Sequence, residues 1–348
     1  MTRFTINGRF LAAPQTGVQR VAGELLRALD ARLAEHGTDG DDWALACPAG
    51  ASTPHFAAIR RIDLSGRPGF WWEQATLYRH GRGCVLVNLA NSAPILHRAN
   101  VVLFHDAQVR DAPNSYGPAF RAWYRIMQPG VARHALKVLT VSAHSARQLA
   151  RHGLSGPDVP GIVPNGVDHI DRVCPHPPRI RPPPSFLLAI GSDRAHKNMA
   201  FLIDVLSDPA LSDITLVLVG NPPSGVVAPP NVVALGRVDD GALRWLYERA
   251  ELFAFPSLTE GFGLPPGEAM RCGCPVVAST GGALSELYSG AAVLLDPSDK
   301  LAWVATLRHL ADDPGARRAL AARGRARAVA MTWDRAAAHL LDAVADLV

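Results

Sequence analysis

Short apolar runs with no internal polar alternation recur along this chain, and each is followed by a stretch with helical spacing. In the first half the runs lie at 84–89, 101–104 and 137–141, with helical patterns at 18–33, 118–133 and 143–151. In the second half they lie at 185–190, 214–219, 232–235, 252–255, 275–278 and 292–295. Helices are expected between them at 198–206, 239–248, 265–270 and 283–287, then at 301–310 and 314–330. A strand that is apolar on both faces must be covered on both, which implies parallel sheets between layers of helices. Residues 168–184 read DHIDRVCPHPPRIRPPP, a segment too rich in proline to continue a helix or pair inside a sheet. The expected α/β organisation is two Rossmann-like doubly wound domains facing a central cleft. Residues 1–170 form the first, 171–184 a proline-rich linker and 185–330 the second, while 331–348 form a helix spaced to pack back across the domains.

Composition narrows the function classes. The chain has 348 residues, 48% of them hydrophobic, which supplies ample core for two domains. Its net charge of +4 suits phosphate-bearing ligands or an anionic membrane surface and is too weak to argue for nucleic acid. The five cysteines are odd in number and scattered, which argues against a disulfide framework and for a reducing compartment. Cys272 and Cys274 form a C-x-C pair, but a metal would need two more ligands nearby, so no metal site is expected. The start, MTRFTINGRF, has no apolar signal core, and no stretch reaches the roughly 20 apolar residues that span a bilayer. A cytoplasmic protein is expected.

The chemistry concentrates in four places. Residues 257–279 read SLTEGFGLPPGEAMRCGCPVVAS, a Gly/Pro turn leading into a short helix after an apolar run. Such a turn lets backbone approach an anion, and the helix start offers amide donors to it. A carboxylate repels phosphate, so Glu260 and Glu268 are read as acceptors for sugar or ribose hydroxyls; the alternative is a loop acid and a first-turn glutamate. In IGSDRAHKN, Gly191 and Ser192 close a strand, and Arg194 and Lys197 follow three residues apart, placed to face one diphosphate. Cations at a helix start oppose its dipole, which favours a ligand there over mere solvated charge. His105 and Asp106 follow the run at 101–104, with His105 toward the cleft as a donor to substrate, or else satisfied by Asp106 within the loop. Gly17, in PQTGVQR, opens a helix as a further phosphate-proximal turn.

Taken together, these segments resemble the retaining glycosyltransferases of family 4, which have the GT-B fold, and the likeness covers almost the whole chain. Glu260 and Glu268 match that family's E-x7-E element, and Arg194 and Lys197 match its diphosphate-binding pair. His105 with Asp106, Val141 with Ser142, and PNGVD at 164–168 match its other landmarks. The resemblance implies that Glu260 touches donor-sugar hydroxyls near the reacting carbon, Glu268 the ribose, and Arg194 with Lys197 the diphosphate, with Ser192 beside them. It implies that the amides of Phe262, Gly263 and Leu264 bind sugar and phosphate oxygens, that His105 contacts the donor sugar, and that Arg237 and Val238 border the base. It further implies retention by same-face attack, in which the leaving phosphate oxygen takes the acceptor's proton. No metal or other cofactor is then required, because Lys and Arg neutralise the leaving group. Two positions depart from the family pattern. Gly267 stands where an apolar residue is common, which is expected to loosen the helix start, and Gly17 stands alone where many members have two glycines. TGVQR is similar to bacterial mannosyl- and rhamnosyltransferases of surface polysaccharide synthesis, which makes GDP-mannose the leading donor.

The acceptor is read from the first half. Phe70, Trp71 and Trp72, with Arg121, Trp123, Tyr124, Arg125 and Arg133 on one helix, suit sugar faces and interfacial lipid. This surface is expected to dock on the inner membrane and meet a polyprenyl-diphosphate-linked oligosaccharide, or else to be an ordinary amphipathic helix over buried tryptophans. Rival readings keep the donor open among UDP-glucose, GDP-fucose and dTDP-rhamnose, or make the chain a nucleotide-sugar-binding module without turnover.

Overall fold

The structure is a computed structural model that describes residues 3–36, 42–156 and 158–347. The chain divides into two compact units, one of Met1–Arg110, Gly117–Gly166 and Trp333–Val348, the other of Asp111–Tyr116 and Val167–Thr332.

The first unit runs β1 (Phe4–Asn7), α1 (Gly17–His36), β2 (Trp43–Pro48) and β3 (Arg60–Leu64), then a π-helical turn (Trp72–Leu77) into α2 (Tyr78–His80). It continues through β4 (Val85–Asn88), β5 (Asn100–Leu103), α3 (Gln108–Asp111), α4 (Pro118–His134), β6 (Lys137–Thr140), α5 (Ala143–Arg151) and β7 (Gly161–Ile162). The strands form one sheet in the order β3-β2-β1-β4-β5-β6-β7, and every pairing is parallel. Five of its strands are buried along their whole length or all but one residue, as continuous apolar runs require. β3 escapes the apolar-run pattern because RRIDL carries three charges, which suits an edge strand that must not recruit another chain.

The second unit runs β8 (Leu187–Ile190), α6 (Met199–Leu206), β9 (Leu216–Val219), β10 (Val232–Gly236), α7 (Asp240–Arg249) and β11 (Leu252–Phe255). After these come α8 (Leu264–Arg271), β12 (Val276–Ser279), α9 (Leu284–Tyr288), β13 (Val293–Leu295), α10 (Lys300–Asp312) and α11 (Pro314–Val329). Its six strands lie in the order β10-β9-β8-β11-β12-β13, again all parallel. A core of Leu187, Leu202, Leu216, Leu218, Trp303 and Leu307 fills the space beneath the helices.

The segment 171–184, expected as a linker, belongs to the second unit. Its neighbourhood shows why: Arg244 of α7 donates to the carbonyls of Ile170, Asp171 and Val173 at 3.1, 2.9 and 2.7 Å. The last helix, α12 (Trp333–Val344), returns to the first unit and lies on α1, with Ala336, Ala337 and Leu340 buried and Arg32 Nε 2.6 Å from Asp334 Oδ1. All five cysteines are free thiols, and among the described residues no helix is long and apolar enough to cross a membrane.

In each sheet the chain lays strands outward in one direction, returns to the middle and continues in the other. The reversal falls between β1 and β4 in the first unit and between β8 and β11 in the second. Such reversals open a crevice at the strands' carboxyl ends, where α/β proteins bind ligands.

Candidate active site

In the second unit, β8 and β11 pair side by side, with Leu187 opposite Leu252 and Leu188 opposite Phe253. The loops leaving their carboxyl ends are thereby brought together, and Leu258 N donates to His196 O at 2.8 Å between them. The sequence pattern places Arg194 and Lys197 at the start of a helix. In the structure Arg194 precedes and Lys197 ends a 3-10 turn (Ala195–Lys197), because Asn198 adopts a left-handed φ of 56° and delays α6 to Met199. Lys197 Nζ donates to Glu260 Oε1 at 2.7 Å and sits 5.3 Å from the centre of the Phe255 ring. The Lys197 side chain keeps 23% of its surface exposed and Glu260 9%, so the pair is reachable from one side. Exposed Arg194 lays its guanidinium 5.3 Å over the Tyr116 ring. His196 is buried with Nδ1 2.9 Å from Ser115 Oγ. Burial, then the charge of Lys197 and beyond it Arg194, pushes its imidazole down to about 4, so it is neutral near pH 7.

The helix after this loop is fixed by its glycine cap. Gly263 has φ 79°, and a Cβ there would stand 2.6 Å from Leu284 Cδ2, so only glycine fits. Tyr288 donates its hydroxyl to Gly263 O at 2.7 Å. Pro265 and Pro266 occupy the first turn and bring no N–H, so this helix start offers fewer amide donors than an ordinary one. Phe262, Gly263 and Leu264 are buried around it. The looseness expected from Gly267 is corrected: a Cβ there would lie 2.7 Å from Val167 Cγ1 and 3.0 Å from the Tyr288 hydroxyl, so the position is glycine because the packing is tight.

Glu268 is buried on α8 with partners at both oxygens. His169 Nε2 lies 3.0 Å from Oε1, and Tyr247 donates its hydroxyl to Oε2 at 3.1 Å. An ionised carboxylate only accepts, so the histidine nitrogen carries the proton, and each oxygen retains acceptor capacity. His169 and Tyr247 were missed in the sequence. His169 directly follows PNGVD, but nothing in the spacing links it to a glutamate 99 residues away. Ser192 is exposed just past β8, while exposed Arg237 and half-buried Val238 follow β10, two strands over.

The reversal point of the first unit is built differently. Glu73, fully buried on the π-helical turn, accepts from Asn7 Nδ2 at 3.0 Å, Arg9 Nε at 2.9 Å, Ser92 Oγ at 2.8 Å and Gln74 Nε2 at 3.1 Å. Asn7 also donates to Asn88 Oδ1 at 3.0 Å, joining the ends of β1 and β4. His105 is buried after β5 with Nε2 2.9 Å from Leu89 O. A carbonyl only accepts, so Nε2 carries the hydrogen and Nδ1 is left as an acceptor. Burial pushes this imidazole down to about 4. Asp106 Oδ1 accepts from Gln108 N at 3.0 Å. Gly17 is exposed at the start of α1, and a Cβ there would meet no protein atom within 4 Å. Of the three aromatics, Trp72 is buried and donates to Leu64 O, whereas Phe70 and Trp71 are 41% and 58% exposed. Phe70 packs on Trp123 of α4 at 4.3 Å. Among the described residues no group of three or more His, Cys, Asp or Glu is arranged to hold a metal ion.

Residues 184–313, which carry Arg194, Lys197, Glu260 and Glu268, match the family described as Glycosyl transferases group 1. The chain carries a glycosyl transferase group 1 domain. The MMP alpha-(1->4)-mannosyltransferase of Mycolicibacterium hassiacum is 33% identical over 239 residues, 64% of this chain and 57% of that protein. A D-inositol 3-phosphate glycosyltransferase of Salinispora tropica is 40% identical over 159 residues, 40% of this chain and 33% of that protein. The matched stretch thus spans little more than half of the first relative's length and a third of the second's. Among solved structures, sucrose-phosphate synthase (tll1590) from Thermosynechococcus elongatus superposes with a TM-score of 0.73 at 18% identity, covering 100% of this chain and 99% of that one. That likeness concerns the fold, and the fold is GT-B. The matched stretch begins just before the first strand of the second sheet and ends at the residue after α10.

Proposed function

We propose that the protein is a retaining, metal-independent glycosyltransferase that moves a hexose from a nucleotide-sugar donor to a saccharide or lipid-linked saccharide. Mannose from GDP-mannose is the leading donor. The observation that carries the reading is the Lys197–Glu260 pair at the reversal point of a glycosyl transferase group 1 domain. The name of the mannosyltransferase relative supports the choice of sugar.

In this reading Lys197 and Arg194 meet the diphosphate. A phosphoryl oxygen competes with Glu260 for Lys197, which stabilises the charge that develops as the glycosidic bond breaks. Glu260 then turns its freed lone pairs to donor-sugar hydroxyls. Glu268, already oriented by His169 and Tyr247, accepts from the ribose. His105 offers Nδ1 as an acceptor to a sugar hydroxyl, and open Gly17 lets a phosphate approach the start of α1. Arg237 and Val238 border the base, with Ser192 and the amides of Phe262, Gly263 and Leu264 near sugar and phosphate. The acceptor's proton passes to the departing phosphate oxygen on the same face, which retains the anomeric configuration. The protein works in the cytoplasm, and exposed Phe70 and Trp71 give it a peripheral hold on the inner membrane when the acceptor is lipid-linked.

The deciding experiment incubates the chain with GDP-mannose, GDP-fucose, UDP-glucose or dTDP-rhamnose and a membrane extract holding polyprenyl-linked saccharides, with and without EDTA. GDP release with mannose from GDP-mannose, undiminished by EDTA, and an α-linked product by NMR are the expected results. Donor binding without nucleotide release from any of the four would replace the transferase by a nucleotide-sugar-binding module.

A further inference from the structure

Among the described residues, two that are not glycine hold a left-handed backbone, Asn91 at φ 62° and Asn198 at φ 56°. Each stands beside a candidate site residue. Asn91 lies just past β4, and its Oδ1 accepts from His105 N at 2.7 Å. Asn198 directly follows Lys197 and closes the 3-10 turn that ends there. A left-handed backbone disfavours any residue with a Cβ, so it persists only where the surroundings hold it, and such positions gather at functional sites.

At position 198 asparagine does more than permit the turn. Glycine meets that need more readily, and the neighbouring loops use it, with Gly263 at φ 79° and Gly282 at φ 66°. The Asn198 side chain donates from Nδ2 to Pro256 O at 3.2 Å and to Pro297 O at 3.0 Å. Carbonyl oxygens only accept, so both amide hydrogens are committed. Pro256 directly follows β11 and leads into Glu260, whereas Pro297 lies past β13, two strands further out. One amide therefore ties the end of the Lys197 turn to the loop that carries the lysine's partner and to a second loop beyond it.

The Glu260 side is held without this amide. Ala283 N donates to Glu260 O at 2.8 Å, and a Cβ at Gly282 would run into the backbone of Glu260. The bond from Leu258 N to His196 O keeps the two loops adjacent, but the direction of the lysine side chain is set by the turn that Asn198 closes.

We propose that Asn198 is a positioning residue that acts through Lys197, aiming its ammonium at the point where Glu260 and the donor's diphosphate compete for it. The catalytic consequence rests on the transferase reading above; the hold on the lysine does not.

The test separates the turn from the amide. Asn198→Gly keeps the left-handed backbone and removes both bonds, and Asn198→Asp keeps the shape but turns a carboxylate toward two carbonyls. Lys197→Ala, Glu260→Ala and their double variant are made in the full chain and in the full chain carrying Asn198→Gly, then unfolded by denaturant without nucleotide. In the parent the two single shifts in midpoint are expected to sum to more than the double shift, because either change breaks the same contact. In Asn198→Gly the shifts are expected to add. Equal non-additivity in both backgrounds would overturn the proposal, and so would additivity already in the parent, which would leave no held pair. Turnover is read with the donor that releases nucleotide. Asn198→Gly and Asn198→Asp are expected to lower kcat about tenfold with donor KM within about threefold, and Asn198→Gly to add nothing to the loss in Lys197→Ala. A parental kcat in either variant would reduce Asn198 to a turn former, and a tenfold loss repeated on Lys197→Ala would make its effect independent of the lysine; each result overturns the proposal. A chain that releases no nucleotide from any donor, yet loses the Lys197–Glu260 coupling in Asn198→Gly, would leave the role of Asn198 standing and remove the transferase.

Discussion

The two units share a topology and use its reversal point in opposite ways. In the first, the carboxylate at that point, Glu73, is fully buried and saturated by Asn7, Arg9, Ser92 and Gln74. In the second, Glu260 meets one lysine among the described residues, at 2.7 Å, on a side chain that is 23% exposed. A carboxylate that meets four donors is a scaffold, because exchanging any of them leaves buried polar groups unpaired. A carboxylate held by one lysine that is itself 23% exposed is able to exchange partners when a phosphate and a sugar arrive. The same fold therefore carries a rigid network in one half and a reactive pair in the other, and the difference lies in how many donors each acid meets.

The largest expected effect tests the reactive side. Lys197→Ala removes the cation facing the leaving diphosphate and is expected to lower kcat by about 10²–10³, roughly 3–4 kcal/mol of barrier. Stability should fall as well, by about 1–3 kcal/mol, because Glu260 is 9% exposed and loses its partner. Steady-state kinetics beside a thermal melt gives both numbers. A kcat within threefold of the parent would move the diphosphate site elsewhere and erase the contrast between the two acids.

Glu73→Ala tests the scaffold, and the expected signature is reversed. Breaking a buried, multiply bonded carboxylate is expected to cost about 3 kcal/mol, toward the lower end for such pairs because Arg9 is 26% exposed and can rehydrate. Chemical denaturation should show an earlier midpoint with an unchanged slope. The milder Glu73→Gln retains one acceptor and should fall between the two proteins. A loss of turnover without a loss of stability would place Glu73 at the chemistry after all.

How much of this was legible in the sequence follows from the range of each interaction. Continuous apolar runs reported the strands because burial on both faces acts locally, and the run at 252–255 coincides with β11. β3 was not legible, since RRIDL has the composition of a surface segment and is a strand only through its pairing with β2. The E-x7-E spacing showed two carboxylates near one turn. It did not show that one would meet Lys197 and the other His169 and Tyr247, because those partners lie 63, 99 and 21 residues away. Gly267 was misread for the same reason: the sequence shows an absent side chain and not the Tyr288 hydroxyl that fills its place.

The third prediction concerns pH and separates the neutral histidine of the scaffold from its charges. Burial lowers His105 to about 4 in the folded chain, against about 6.5 unfolded, so the unfolded chain takes up the proton first as pH falls. The stability it contributes is complete above pH 6.5 and is lost toward pH 4, about 2 kcal/mol of it by pH 5. His196 contributes in the same direction from the second unit. Denaturation midpoints from pH 7 to 5 should fall more steeply in the parent than in His105→Gln, whose amide can still donate to Leu89 O. Equal slopes would mean that His105 is solvated or protonated in the folded state.

The smallest effect is the most discriminating for Glu268, which shares features of both acids: buried like Glu73, yet with two partners identified where Glu73 has four. Tyr247→Phe removes one donor and keeps the ring, which packs edge-on against Phe253 at 5.4 Å. If Glu268 belongs to the scaffold, losing a hydrogen bond to a buried charge costs about 1–2 kcal/mol of stability and leaves donor kinetics alone. If it binds the ribose, the freed oxygen swings out of line, and the donor KM rises several-fold, at most about tenfold, while kcat stays near the parent value. We expect the KM effect, because a carboxylate oriented by two donors from outside the turn is arranged to hold its remaining lone pairs in one direction. His169→Gln provides the matched control: its amide reproduces the N–H toward Oε1, so a KM shift in Tyr247→Phe that is absent in His169→Gln and present in His169→Ala would tie the effect to hydrogen bonding at Glu268 and not to disturbed packing.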